Sequence, residues 1–184
     1  MSREQRFFLV QRLFVVTGLI LLLQPYVSRA EDRQRIADDK ISLVVPDGWE
    51  ESDLNAGVVE AGFATQDKRT SAFITKYSAA TRASMQELMD MTIASFEKEF
   101  TIRKESDSVT GQVQGPGEKK WPAIFKTLEA TVTKRGDEFE MRFYLLFFDV
   151  GSQLYLLQAT TTIPVRESRE KQVYELIRSL VAKP

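Results

Sequence analysis

The pattern of apolar and polar positions is clearest in the last third of the chain, where it predicts a β-hairpin. Mostly apolar and mostly polar positions alternate over residues 124–133, with the period of two that a strand imposes. An Arg-Gly-Asp turn at residues 135–137 leads into a second run, residues 139–150, which is apolar on both faces from Tyr144 onwards. A strand that is apolar on both faces is typical of the centre of a sheet that is covered on both sides.

Shorter apolar runs bounded by turn residues predict the remaining strands. The β-branched run at residues 41–45 stops at a Pro-Asp-Gly turn. Residues 58–65 and 70–77 are separated by a polar connection of hairpin length, so we expect these two runs to pair antiparallel. The other predicted strands are residues 102–106, 109–114 and 153–162.

Two segments have the periodicity of amphipathic helices. Ser84 and Glu87 have the spacing of a capping box, and apolar residues then recur at helical intervals as far as Phe100. Pro164 opens a terminal helix. The apolar stripe of that helix consists of Val173, Leu176, Ile177, Leu180 and Val181. The predicted fold class is therefore α+β, with one antiparallel sheet covered by two helices.

The first thirty residues have the features of a secretory signal peptide. Three arginines precede the apolar run of residues 13–23, and Ser28 and Ala30 are the small residues that a signal peptidase requires. We expect cleavage after Ala30, followed by a flexible leader over residues 31–40 and a single domain over residues 41–184. The predicted location is periplasmic or secreted. The alternative is an uncleaved anchor, although about 20 apolar residues are needed to cross a bilayer.

The composition excludes several kinds of chemistry, because the 184 residues include no His and no Cys. Without His, neither a Ser-His-Asp nor a Cys-His nucleophile can be built. Without Cys, the chain has no disulfide, no thiolate nucleophile and no Cys-ligated zinc. Charge is nearly balanced, with 25 basic and 26 acidic residues, whereas nucleic-acid binders carry a basic excess on one face. We expect no nucleic-acid partner, no cofactor and no metal.

Several local phrases, in this order of elements, resemble a known family. They are residues 41–49 (Ile-Ser-Leu-Val-Val-Pro-Asp-Gly-Trp), 96–100, 139–149, 155–162 and 177–180. Together they are similar to the PsbP-like and DcrB-like group of bacterial exported proteins. The resemblance implies an α/β/α sandwich around an antiparallel sheet, the fold of the photosystem subunit PsbP and the Ran-binding protein Mog. It also implies binding of protein partners or support of envelope assemblies rather than an established enzyme activity.

The leading functional hypothesis is a non-enzymatic, exported interaction domain whose partner is a protein or another envelope component. Membrane contact is expected through the signal peptide alone, if that segment is not cleaved. Trp and Tyr are enriched at the positions that dominate binding energy in protein interfaces. The candidate interaction residues are therefore the aromatics near loops, Trp49, Trp121 and Tyr77, which we expect to be exposed and to form one binding patch.

Two alternatives remain open. One is a carboxylate-based hydrolase or an oxygen-ligand metal site, because Asp and Glu are the acid-base residues that the chain retains. Its candidates are Glu50, Glu51 and Asp53, and the group Asp137, Glu138 and Glu140. The other is a carrier of a small hydrophobic ligand, indicated by the aromatic residues 143–148 and the helix methionines Met85, Met89 and Met91. A carrier requires a cavity of several hundred Å³.

Overall fold

The computed structural model describes residues 33–52, 59–78, 83–134 and 136–184. The predicted signal peptide, its cleavage site and the candidate Asp53 lie outside these residues. Within the described residues, eleven strands form one sheet and two helices pack against it. The fold class is α+β, as the sequence predicts, and the sheet is its dominant element.

The strands are numbered in chain order. They are β1 (Arg33–Ile36), β2 (Ile41–Val44), β3 (Trp49–Glu51), β4 (Val59–Thr65), β5 (Thr70–Lys76), β6 (Thr101–Glu105), β7 (Val109–Gln114), β8 (Lys120–Lys134), β9 (Asp137–Val150), β10 (Gln153–Thr162) and β11 (Val181–Ala182). Their order across the sheet is β1-β2-β11-β7-β8-β9-β10-β5-β4-β3, and β6 also pairs with β8.

The long strands β8, β9 and β10 form the centre of the sheet. β8 and β9 pair antiparallel, from Ala123 opposite Phe148 to Lys134 opposite Asp137. β10 pairs antiparallel with the other edge of β9. The predicted hairpin and the central position of β9 are therefore confirmed, as is the antiparallel pairing of β4 with β5.

One helix packs on each face of this sheet. Side chains alternate along a strand, so β9 presents a different set of residues to each helix. The helix α1 (Met85–Glu99) packs on the face that contains Phe143, Leu145 and Phe147. The helix α2 (Glu167–Ser179) packs on the opposite face, which contains Tyr144, Leu146 and Phe148. All six side chains are buried, which confirms that β9 is covered on both sides.

The prediction of a flexible leader over residues 31–40 is wrong from Arg33 onwards. β1 pairs antiparallel with β2, from Arg33 opposite Val44 to Ile36 opposite Ile41. Ile36 and Ile41 are both buried in the cluster beneath α2. The sequence shows no apolar pattern for this strand, because three of its four residues are polar (two arginines and one glutamine). Its single apolar residue, Ile36, is the one that contributes to the core.

The end of the terminal helix also differs from the prediction. α2 ends at Ser179, and Leu180 has an extended backbone with φ −64° and ψ 127°. Val181 lies in β11, which pairs antiparallel with β2 and parallel with β7 at Gln114. Leu180 and Val181 therefore follow the helix and are not part of its apolar stripe. The parallel pairing of β11 with β7 makes the sheet mixed rather than fully antiparallel.

The start of α1 has the predicted capping box. The Ser84 hydroxyl accepts a hydrogen bond from the Glu87 backbone N–H at 3.2 Å, and the Glu87 carboxylate accepts one from the Ser84 N–H at 2.7 Å. These two contacts satisfy N–H groups that a helix start otherwise leaves unpaired. In the part of the chain that the structure describes, neither helix has the length and apolar character needed to span a membrane.

Replacement of Tyr155 by phenylalanine is expected to stabilise the fold by about 1 kcal/mol. The Tyr155 ring is fully buried against Phe148, with 5.4 Å between the ring centroids, and its hydroxyl has no hydrogen-bond partner among the described residues. Burial raises the pKa of this hydroxyl, and the charges of Glu60 and Asp38 raise it further. Urea unfolding measures the change. A loss of stability in the variant would contradict the prediction, because it would mean that the hydroxyl is satisfied in solution.

Candidate functional site

The structure places two of the predicted interaction residues in the core instead of on the surface. Trp49 and Trp121 are 7 % and 6 % exposed. The Trp49 indole N–H donates to the Gln172 side-chain oxygen at 3.2 Å, and the Trp121 indole N–H donates to the Ala182 carbonyl at 2.9 Å. The expectation that these indoles are exposed is therefore wrong. The hydrogen bond of Trp49 links β3 to α2, and that of Trp121 links β8 to β11.

Tyr77, the third predicted interaction residue, lies on the opposite face of the sheet. It packs near Phe147 in the cluster beneath α1, with 5.9 Å between the ring centroids, whereas Trp49 and Trp121 belong to the cluster beneath α2. Burial raises the pKa of its hydroxyl. The three aromatics consequently do not form a common patch.

The predicted carboxylates that the structure describes, which leave out Asp53, lie on the surface. Glu50 and Glu51 are exposed on β3, and Glu50 accepts a hydrogen bond from the Gln66 side chain at 3.0 Å. Asp137, Glu138 and Glu140 are exposed on the first residues of β9. The described residues contain no group of three or more Asp and Glu side chains placed to hold a metal ion.

The structure brings together a charged cluster that the sequence analysis missed. Arg142 on β9 donates to Glu129 on β8 at 2.6 Å and to Glu170 on α2 at 2.8 Å. The Tyr144 hydroxyl donates to the same Glu170 oxygen at 3.2 Å. A signal for half of this cluster was present, because the hairpin register places Glu129 opposite Arg142. The contact with α2 depends on how the helix packs and has no local signal.

The electrostatics of this cluster indicate a structural tie. Burial acts to lower the pKa of Arg142, but hydrogen bonding to Glu129 and the neighbouring Tyr144 and Glu170 raise it overall. Burial, and then the Glu170 charge, raises the pKa of the Tyr144 hydroxyl. The arginine therefore stays charged, and both carboxylates are bound to it. The cluster links β8, β9 and the first turn of α2.

A second group of hydrogen bonds joins α2 to the end of β2 and to the chain segment that follows it. The Val44 N–H donates to the Ser179 hydroxyl at 2.9 Å, and the Gln172 amide donates to the Asp47 carbonyl at 3.2 Å. Gln172 also accepts from the Trp49 indole. Two positions of α2, about two turns apart, therefore hold the β2–β3 connection against the helix.

Between these two attachments the surface has a small open pocket, which we call the α2 pocket. Its volume is ≈170 Å³, and it is lined by Val44, Val45, Pro46, Asp47 and Glu175. This volume is below the roughly 300–1,000 Å³ of sites that enclose small-molecule ligands. The α2 pocket is therefore too small for a carrier site, but it suits a single side chain. The aromatic residues 143–148, proposed above as a carrier signal, are packed core.

Comparison with known proteins places this geometry in a recognised fold. No family model matches the chain, and no curated protein matches it in sequence. Among solved structures, LpqN of Mycobacterium tuberculosis, described as involved in cell envelope biogenesis, is similar with a TM-score of 0.54 and 13 % identity, over 78 % of this chain and 83 % of that one. Cyanobacterial PsbP (CyanoP) from Synechocystis sp. PCC 6803 is similar with a TM-score of 0.51 and 12 % identity, over 82 % and 91 %. The chain has the PsbP/Mog1-like fold.

The Ran-binding protein Mog1p of Saccharomyces cerevisiae has this PsbP/Mog1-like fold too, with a TM-score of 0.51 and 10 % identity, over 80 % of this chain and 93 % of that one. The resemblance deduced from the local phrases of the sequence is thereby confirmed at the level of the fold. At these identities the similarity concerns the fold, and function has to be argued from the sites that the fold carries.

Proposed function

We propose that the protein is an exported, envelope-associated interaction domain without catalytic activity. The observation that carries the proposal is the fold that the chain shares with LpqN, a protein described as involved in cell envelope biogenesis. Mog1p, described as a Ran-binding protein, supports the use of this fold for binding another protein. Fold similarity is an analogy, so the proposal also needs support from the surface of this chain.

The charged groups of the surface favour binding over catalysis. Arg142 engages both carboxylates of the partly buried cluster, which leaves neither Glu129 nor Glu170 placed as a separate acid or base. The α2 pocket, by contrast, opens to solvent and is lined by three apolar residues, Val44, Val45 and Pro46, and two acidic ones, Asp47 and Glu175. Protein-binding surfaces combine apolar and charged residues in this way.

Export is the second part of the proposal, and it depends on the signal peptide predicted for residues 1–30. Edman degradation of the protein purified from its native host measures it directly. We expect the first residue to be Glu31 and the protein to be recovered from the envelope or periplasmic fraction. Recovery of the uncleaved chain from the cytoplasm would contradict export.

Affinity capture tests the binding role. The protein, tagged after Pro184 and expressed in its native host, is cross-linked mildly and isolated from the envelope fraction, and the co-purifying proteins are identified by mass spectrometry. We expect at least one protein whose capture saturates and is displaced by untagged protein. The control is the same chain unfolded before cross-linking, which should capture none specifically. A folded and exported protein that captures no saturable partner would contradict the proposal.

A further inference from the structure

We propose that the α2 pocket receives one lysine or arginine side chain of a protein partner. This inference rests on the proposed function and names the chemistry that the partner presents. The occupant is argued from three properties of the site, which are the apolar residues in its lining, the two acidic residues in its lining and its position beside the C-terminal half of α2.

The apolar wall of the α2 pocket matches the stem of a long cationic side chain. Val44, the last residue of β2, and Val45 and Pro46, which follow it, are each partly exposed and line the pocket. Lysine and arginine bury their methylene groups along apolar surface while the charged end stays in contact with water or an acid. A volume of ≈170 Å³ suits one such side chain rather than a larger ligand.

The rim of the α2 pocket supplies the complementary charge. The Asp47 carboxylate is exposed, and within the described residues it has no hydrogen bond or ion pair, since the contact of Asp47 with Gln172 uses its backbone carbonyl. Among the described residues, the Glu175 carboxylate has one ion pair, with the Lys171 ammonium at 3.8 Å. Lys171 is 75 % exposed, so this contact is a weak one that an incoming cation can replace.

The helix itself adds to the negative potential. The pocket adjoins the C-terminal half of α2, and the carbonyls at the C-terminal end of a helix favour cations. Arg33 already uses this preference, because its guanidinium donates to the Ser179 carbonyl at 2.6 Å. That bond engages Arg33 at the helix end, while Asp47 and Glu175 line the pocket.

A titration with a small probe tests the inference. The exported protein, labelled with ¹⁵N, is titrated with N-acetyl-arginine methylamide, and with N-acetyl-citrulline methylamide as a neutral probe of the same shape. We expect saturable chemical-shift changes at the amides of Val44, Val45 and Asp47 and at the Trp49 indole with the arginine probe. The citrulline probe should leave these signals unchanged, because it lacks the charge that the two carboxylates attract.

Two double variants with the same change of charge complete the test. Asp47→Asn with Glu175→Gln should weaken binding of the arginine probe about tenfold, the ratio that two exposed ion pairs of ordinary strength supply. Asp137→Asn with Glu138→Gln, which neutralises exposed carboxylates on β9, should leave binding unchanged. Spectra that coincide away from the substituted residues verify that both variants are folded.

Three outcomes would overturn the inference: no saturable shift at the pocket, equal shifts with citrulline, or equal loss in both double variants. Each is distinguishable from failure of the proposed function. If the envelope capture yields a saturable partner but the arginine probe does not bind at the α2 pocket, the interaction role stands. The proposal that a cationic side chain occupies the pocket is then refuted.

Discussion

Replacement of Trp121 by alanine is expected to lower the free energy of unfolding by about 3–5 kcal/mol. The indole is buried and its N–H donates to the Ala182 carbonyl, which holds β11 and the chain end against β8. The fold leaves space for the ring at Gly115, where an added Cβ would lie 2.8 Å from the indole nitrogen. Alanine at position 121 therefore leaves a cavity and an unpaired carbonyl in a site shaped around the indole.

Urea unfolding followed by circular dichroism measures this loss. The control is Trp121→Phe, which retains most of the buried ring and removes the hydrogen bond, so we expect a smaller loss of about 1–3 kcal/mol. If Trp121→Ala kept the stability of the wild-type protein while partner capture declined, the structural role of this residue would be refuted. The prediction from sequence that Trp121 belongs to an interaction patch would then be reinstated.

Replacement of Arg142 by methionine is expected to lower the free energy of unfolding by about 2 kcal/mol. Removal of one partner from a fully buried ion pair costs about 3–5 kcal/mol, because a charge is left without compensation. The side chains of Arg142, Glu129 and Glu170 are between 25 % and 31 % exposed, so water offsets part of that loss. Methionine retains the aliphatic packing, and the change therefore reports on the charged contacts.

The matched control for Arg142→Met is Lys171→Met, which also removes one positive charge. Lys171 is 75 % exposed and lies 3.8 Å from its acidic neighbour, so we expect a change below about 0.5 kcal/mol. A double-mutant cycle of Arg142→Met with Glu129→Gln then isolates the pairwise contribution. Equal and small losses in the Arg142 and Lys171 variants would contradict the role of Arg142 in fastening α2 to the sheet.

The sequence predicts those parts of the fold whose pattern is long enough to repeat. The alternation over residues 124–133 and the two-faced run that follows identify β8 and β9, and the spacing of Ser84 and Glu87 identifies the start of α1. In contrast, β3 and β11 have three and two residues, and each exists because a longer strand provides a partner edge. No local pattern can indicate such strands, since their stability is almost entirely tertiary.

The candidate site was harder to predict for the same reason. The Pro-Asp-Gly turn was visible as a turn, but the α2 pocket is formed jointly by this turn and Glu175, which lies on a helix far along the chain. Trp49 and Trp121 were chosen as interaction residues because they flank loops, and the structure buries them because each indole N–H finds an acceptor within the fold. Proximity to a loop does not predict exposure when a helix or a chain end covers the ring.

Site-specific photo-cross-linking in the native host tests binding at the α2 pocket most directly. A photoreactive benzoylphenylalanine is placed at Lys171, which is exposed and contacts the pocket residue Glu175, or at Glu138, which is exposed on β9. We expect one discrete protein adduct from position 171 and none of the same mass from position 138. The same adducts from both positions, or none from position 171 in a folded and exported protein, would contradict binding at this surface.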